Sequence, residues 1–420
     1  MYSSRVKTGA FVLEGLNSIS TTYYFFYVFF FLKEHFGFGS RENLTWAIAH
    51  GAVYVVASWQ GGRFGQRRGY LKAMQLGFAG MSLCFFTGWL VNLAEPGRTL
   101  EIVLQAALML GATVAICFTW PNLEAIVSEG EPGHRLQRLI GIYNLVWSGA
   151  GALAYFTGGA LMELLGGRNQ IFLVPALMIA AQWGLATWLA SQPGAKGGHG
   201  PAIHGSVASP EERRRSAVPP KAFLLMSWLA NPCAYIAIAT AIPLIPTLAG
   251  SLELTPRTAG FFCSIWLFSR TLTFVGLWMW NGWHYRFRWL FLAFVGLIGG
   301  FLFIFLGAGW TGLTRGQALL VVGIAQTVFG VALGLIYYSS LFYSMDVGDT
   351  KGDHGGIHEA AIGAGILGGP LVGAMAQWLR PGSPTAAAWA VSGVLGLGFL
   401  AILWMRSRAA RPGSGGSASH

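Results

Sequence analysis

Residues 288–310 read RWLFLAFVGLIGGFLFIFLGAGW, and their one charge is the arginine at the start. A helix made of this stretch is apolar on every face, whereas a helix on a soluble domain keeps a polar side. Its length points the same way. About 20 residues, at about 1.5 Å each, match the roughly 30 Å hydrocarbon core of a bilayer. Backbone polar groups find no water there, so a helix, which pairs them internally, is the expected spanning form. Working outward in both directions, the chain holds further stretches of this kind, giving twelve spans at 9–33, 43–61, 71–93, 101–126, 138–162, 169–191, 222–248, 258–281, 288–310, 316–344, 357–379 and 384–405. The fold expected is an all-α polytopic membrane protein with twelve transmembrane helices.

Composition supports this reading. Charged residues make up 10% of the chain and hydrophobic ones 54%, and 59 of the 420 residues are glycine. That much glycine would argue for disorder in water, but in membrane helices small residues let backbones approach closely. The net charge of +11 would suit a nucleic-acid binder if clustered, yet its distribution follows topology. With the N-terminus in the cytoplasm, 19 Lys and Arg fall on that side and seven on the other (Lys33, Arg41, Arg98, Arg168, Arg257, Arg315 and Arg380). The positive-inside rule then places both termini in the cytoplasm and the chain in the cell (inner or plasma) membrane. Lipid, not nucleic acid, is the expected surrounding. Arg5 and Lys7 run directly into an apolar segment too long for a signal-peptide core, so no separate leader is expected. Cys84, Cys117, Cys233 and Cys263 all fall within spans with no metal-ligand spacing and read as buried thiols.

One long polar interruption, 192–221, divides the spans six and six. It contains Gly-Gly-His-Gly-Pro, then Glu211-Glu212-Arg213-Arg214-Arg215, then Pro219-Pro220, and its composition reads as a disordered cytoplasmic linker. Its basic run reads as topology and attraction to the lipid surface. The expected division is therefore a bundle over 1–191, the linker, a second bundle over 222–405 and a flexible tail over 406–420. The halves also echo each other. Adding 214 maps Gly149, Gly151 and Gly159 of the fifth span onto Gly363, Gly365 and Gly373 of the eleventh, and Asn17 onto Asn231. Adding 220 maps Trp46 and His50 of the second span onto Trp266 and Arg270 of the eighth. Three span pairs in order point to two pseudo-symmetric six-helix bundles, with a substrate site between them near mid-membrane.

Between the second and third spans stands Gly62-Arg63-Phe64-Gly65-Gln66-Arg67-Arg68-Gly69-Tyr70. This resembles the loop motif Gly-x-Leu-x-Asp-Arg-x-Gly-Arg of the major facilitator superfamily. Gly62, Arg67 and Gly69 match it, Phe64 replaces Leu, Tyr70 replaces the last Arg, and Gln66 stands where the family has Asp. With the twelve spans and the repeat, the resemblance covers nearly the whole chain. It implies a monomeric carrier working by alternating access, with spans 1, 4, 7 and 10 lining much of the cavity and Gly62, Gln66, Arg67 and Gly69 in a gating loop. The glycine run of the fifth span is similar to one in antiporter branches, though the Gly-Pro pair found there occurs here as Gly369-Pro370 in span 11.

Charges inside a bilayer cost roughly 2.5–3.5 kcal/mol on insertion scales, so each needs a reason. Arg270, about twelve residues from either end of its span, is too deep to snorkel. It suits the acidic group of a substrate, against a structural ion pair as the plainer role. Glu14 is a candidate proton site, against a gate-side salt bridge. Glu124 suits a loop-side network or proton coupling. His50 is a candidate proton relay, although a lone buried histidine is usually just hydrogen-bonded. His354 and His358 have i,i+4 spacing with acids nearby, but Gly355-Gly356 lies between them. A gate or proton network of His358 and Glu359 is preferred there, and no metal is assigned. Asn17, Tyr23, Tyr24, Asn144, Asn231, Tyr235, Gln326, Tyr337 and Tyr338 are candidates for polar cavity groups.

Function follows from these residues. The leading expectation is a secondary active transporter of a small organic solute, proton-coupled and with an organic anion favoured. The alternatives are efflux of hydrophobic or cationic compounds, sugar transport, and, in a different class, a non-transporting sensor or scaffold. The sequence has no GxSxG elbow, HExxH or P-loop, so no enzyme and no cofactor are expected.

Overall fold

The computed structural model describes residues 2–131, 133–195, 208–347, 351–381, 383 and 385–410, leaving the side chains of 133, 134 and 351–360 undescribed. The described elements are all helical: α1 (Ser4–Phe36), α2 (Ser40–Arg68), α3 (Tyr70–Ala94), α4 (Arg98–Ile116), α5 (Trp120–Ser128), α6 (Gly133–Leu164), α7 (Gln170–Ala190), α8 (Pro210–Arg213), α9 (Pro220–Ser251), α10 (Pro256–Cys263), α11 (Ile265–Met279), α12 (Phe287–Ala308), α13 (Arg315–Val347), α14 (Lys351–Leu379) and α15 (Ala386–Ala409). The pairs α4–α5 and α10–α11 are each one span broken by a turn. With the short α8 set aside, the fold is the twelve-span, two-bundle architecture. Among the described residues, ten spans are long and apolar enough to cross a membrane by themselves. The other two, α1 and α2, have 33 and 29 residues but carry polar groups such as Asn17, Ser18, Ser20 and Asn43, which the protein buries.

The break between α4 and α5 follows from Pro121, the second residue of α5: it has no N–H to give to the preceding turn. At Ser264 the hydroxyl donates back to the Phe261 carbonyl at 3.0 Å, a bond that bends helices. The Asn231-Pro232 step does not interrupt α9, which runs on through Pro243 and Pro246.

Two seams join the bundles, one of α2 with α14 and one of α6 with α10 and α11. The repeated glycines pack at them and against the neighbouring first helix of each bundle. A Cβ on Gly151 would lie 3.1 Å from Thr22 of α1, and one on its counterpart Gly365 would lie 2.7 Å from the Pro232 carbonyl of α9. Gly149 faces Thr271 of α11, while Gly363 faces Val55 of α2. The internal repeat thus falls at helix crossings, tightest at Gly159 and Gly365, where a Cβ would meet backbone under 3.0 Å away.

The bundles are tied together on the face away from the linker. Lys33 Nζ donates to the Pro246 carbonyl at 2.6 Å, Ser40 and Thr247 share a hydrogen bond at 2.8 Å, and Asn43 Nδ2 donates to the Pro243 carbonyl at 3.2 Å. Arg257 of α10 also meets Glu163 of α6 at 3.5 Å. On the linker face, no hydrogen bond or ion pair joins the bundles among the described residues. Among the described residues, the polar ties between the bundles all lie on the face away from the linker.

The later part of the linker is ordered against the C-terminal bundle, contrary to its composition. Ser209 and Glu212 form a capping box around α8. The Asp346 carboxylate accepts from the Ala208 amide at 2.7 Å, from Arg213 Nε at 3.1 Å and from the Tyr285 hydroxyl. Glu212 pairs with His284 at 3.1 Å. Composition misses this because the stabilising partner is one buried acid 133 residues further along the chain. Burial holds the His284 imidazole below its usual value, with Arg215 adding to that shift and Glu212 and Asp346 opposing it. The folded state therefore favours neutral His284. Its contribution is full above the ordinary histidine value of about 6.5 and is lost as the pH falls below it. Hydrogen exchange over 208–219, corrected for intrinsic rate, should show faster opening at pH 5.5 than at pH 7.5, and His284→Gln should flatten that difference.

Candidate functional site

A cavity of about 260 Å³ lies between the bundles, with Glu14, His50, Glu124 and Tyr143 on one wall and Arg270 and Tyr337 on the other. Its size is near the lower end for small-molecule pockets. Phe25, Phe26, Phe29 and the indoles of Trp120, Trp147 and Trp266 make most of the remaining surface apolar and aromatic.

Arg270, on α11, is 8% exposed. Its guanidinium lies 4.6 Å from the ring centre of Trp147 and 5.3 Å from that of Trp266. Trp266 precedes Arg270 by one turn of the same helix, whereas Trp147 reaches over from α6 of the other bundle. No carboxylate pairs with Arg270 among the described residues, and its Nε has no hydrogen-bond partner there. Each cation–π contact supplies about 0.5–2 kcal/mol. Two of them offset part of the cost of a buried charge and leave room for an anion.

Glu14, on α1, is 1% exposed. One oxygen accepts from the Tyr143 hydroxyl at 2.8 Å and the other from Ser18 at 3.0 Å. Because α1 starts at Ser4, Glu14 sits about 15 Å along the helix, twice as deep as a start at residue 9 implies. Glu124, on α5, lines the same wall and accepts no hydrogen bond from the described residues. His50 shares a 2.8 Å hydrogen bond with Thr113 through Nδ1. The Thr113 hydroxyl donates its proton to the Met109 carbonyl at 2.8 Å, so Nδ1 must be the donor to Thr113 and Nε2 carries the lone pair.

Of the other residues expected at the site, Tyr235 and Tyr337 line the cavity. The rest lie off its wall. Asn17 donates to Thr119 at 3.2 Å, and Asn144 accepts from the Trp147 indole at 2.9 Å. Tyr24 packs on Phe85 and Phe172 inside the first bundle, beside Tyr23, whose ring contacts Tyr27. Asn231 and Gln326 are buried, and Tyr338 packs on Phe274 and Trp283. In the gating segment, Gly62, Gln66 and Arg67 belong to α2, which continues to Arg68, and Gly69 ends it with φ of 98°. Gln66 and Arg67 are exposed. The side chains of His354, His358 and Glu359 lie outside the described residues. Sequence reasoning overlooked Tyr143, Trp147 and Ser18. The available signal was the i,i+4 spacing of Tyr143 with Trp147 and of Trp266 with Arg270, which aligns each pair on one helix face.

Fold and site together define a two-bundle membrane carrier with a central cavity. Residues 10–352 match the model of the Major Facilitator Superfamily, and the chain belongs to that family. It is a multi-pass secondary transporter of a small molecule, and not an enzyme. No curated protein sequence matches it. Among solved structures, it is similar to a mutant of the nucleoside transporter NupG, with TM-score 0.68 and 13% identity over 95% of this chain and 99% of that one. A bacterial homolog of the human lysosomal transporter Spinster, inward-facing and occupied, gives TM-score 0.64 at 14% identity over 97% and 95%. The human organic anion transporter MFSD10 (TETRAN) gives 0.62 at 15% identity over 95% and 99%. At such identities the likeness is one of fold.

Proposed function

We infer that this carrier moves a small organic anion together with protons, as a monomer, its two six-helix halves (1–191 and 222–405) rocking about the cavity. The observation that carries the reading is Arg270, a deeply buried cation on the cavity wall with no acidic partner among the described residues. A guanidinium fork suits a carboxylate or a similar acid. Tyr235 and Tyr337 lie beside it, and Glu14, Glu124 and His50 face it as the groups able to take and release protons. The excess of basic residues on the linker side supports cytoplasmic termini. With that orientation the face tied by Lys33, Ser40 and Asn43 is the outer one, and on this reading Gly62, Gln66, Arg67 and Gly69 stand at the inner rim that closes in the other state.

The test is proton flux in liposomes holding the purified protein and trapped pyranine, using carboxylates too polar to diffuse across lipid. Adding such a carboxylate outside should acidify the lumen of protein-containing vesicles and leave empty vesicles unchanged. Sugars and lipophilic cations should give no signal. Labelled-carboxylate uptake without acidification would overturn the proton coupling, and acidification driven by sugars or cations would overturn the anion assignment.

A further inference from the structure

We propose that the natural substrate is amphoteric: its acidic group is seated on Arg270 and its amine between Glu14 and Glu124, with an aromatic or apolar body lying along α6. The proposal rests on the transport reading above and narrows it. A simple organic anion uses only half of the charges in the cavity. Arg270 is the one cation on the wall among the described residues, and it is matched by two carboxylates on the opposite bundle. Neither Glu14 nor Glu124 has a basic partner among the described residues, and Glu124 accepts no hydrogen bond from them. A lone anion would leave both acids to be neutralised by protons alone. An amphoteric molecule with one proton pairs every charge: acid with Arg270, amine with one carboxylate, proton on the other.

The two seats are contacted from successive turns of α6. Tyr143 bonds Glu14, and Trp147, four residues on, stacks on Arg270. These residues are separated by about 6 Å of helix rise. With one seat on each bundle and Tyr143 and Trp147 reaching them from successive turns of α6, the proposal takes a substrate whose amine and acid are held apart by a spacer, further than in an α-amino acid. The aromatic walls between the seats favour a flat apolar spacer.

Three matched probes test this by calorimetric titration of the purified protein at pH 7: 4-(aminomethyl)benzoate, 4-methylbenzoate and 4-methylbenzylamine. The amphoteric probe should bind at least tenfold more tightly than either of the others. Arg270→Ala should bring its affinity down to that of the amine, and the double variant Glu14→Gln, Glu124→Gln down to that of the acid. Thermal unfolding followed by tryptophan fluorescence confirms that each variant is folded. If 4-methylbenzoate binds as tightly as the amphoteric probe, the proposal fails and the anion reading survives. If 4-methylbenzylamine does so, both fail. If none binds while carboxylate-driven proton flux persists, only the amphoteric assignment falls.

Discussion

Replacing Gly159 with valine should cut transport by roughly 5- to 150-fold while leaving each bundle folded. A Cβ at this position would lie 2.8 Å from the Cα of Arg257 and still nearer the Pro256 carbonyl, all of it backbone that cannot swing aside. Such overpacking costs about 1–3 kcal/mol. In the proposed rocking cycle the contact exists only while the face away from the linker is closed, so the cost would fall on one of the two states. An equilibrium shifted by that amount changes by the factor given. The check uses a cysteine pair at Ser40 and Thr247, whose side-chain oxygens are 2.8 Å apart across the closed face. Oxidative cross-linking should be efficient without the valine and poor with it. Gly51, where a Cβ would meet the Leu367 Cα at 2.7 Å, should behave in the same way at the other seam. Normal uptake and normal cross-linking in Gly159→Val would show that this crossing is not part of the moving interface.

Arg270→Ala should abolish accumulation of an acidic substrate without unfolding the protein. Removing a lone buried cation leaves no stranded carboxylate, because none pairs with it among the described residues, so the usual penalty for breaking a buried ion pair does not apply. The loss is confined to the cation–π contacts with Trp147 and Trp266, worth about 0.5–2 kcal/mol each, against the desolvation cost that also disappears. Stability in detergent should change little. Affinity for an acid should fall by about two orders of magnitude, the worth of a charged hydrogen-bonded pair of roughly 3 kcal/mol. Arg270→Lys keeps the charge but loses the planar fork and the stacking, and should recover part of the binding. A variant that still accumulates carboxylates at the normal rate would remove Arg270 from the site.

The architecture was readable because lipid imposes a simple rule. Runs such as 288–310 can be apolar on every face only in a bilayer, and α12 occupies Phe287–Ala308 accordingly. Helix ends were harder: α2 continues to Arg68, seven residues past the apolar run, because charged side chains end the hydrocarbon match without ending the helix. The cavity was partly readable. A buried arginine or glutamate stands out in any span, and Arg270, Glu14 and Glu124 all reach the wall. Neutral polar residues do not stand out. Neighbours on a helix are about 100° apart, so Ser18 lines the cavity while Asn17 turns inward to Thr119, and Tyr337 lines it while Tyr338 packs on Trp283. Helix rotation decides between them, and a helix with no lipid-facing polar side gives little sign of that rotation. The docking of 208–219 escaped for a different reason: it depends on Asp346, a contact that only the folded chain creates.

Trp147 belongs to one bundle but rests its ring on a cation of the other. In the proposed cycle, rocking a carrier that holds protons but no anion would draw that indole away and leave Arg270 with Trp266 alone. A loaded carrier brings its own counter-charge and does not depend on the stack. In that cycle the stack would raise the barrier to reorientation of a carrier that holds protons without cargo, the step through which a proton gradient leaks. Trp147→Phe, by weakening that restraint, would be felt first as slippage: proton leak without cargo, appearing before any loss of affinity.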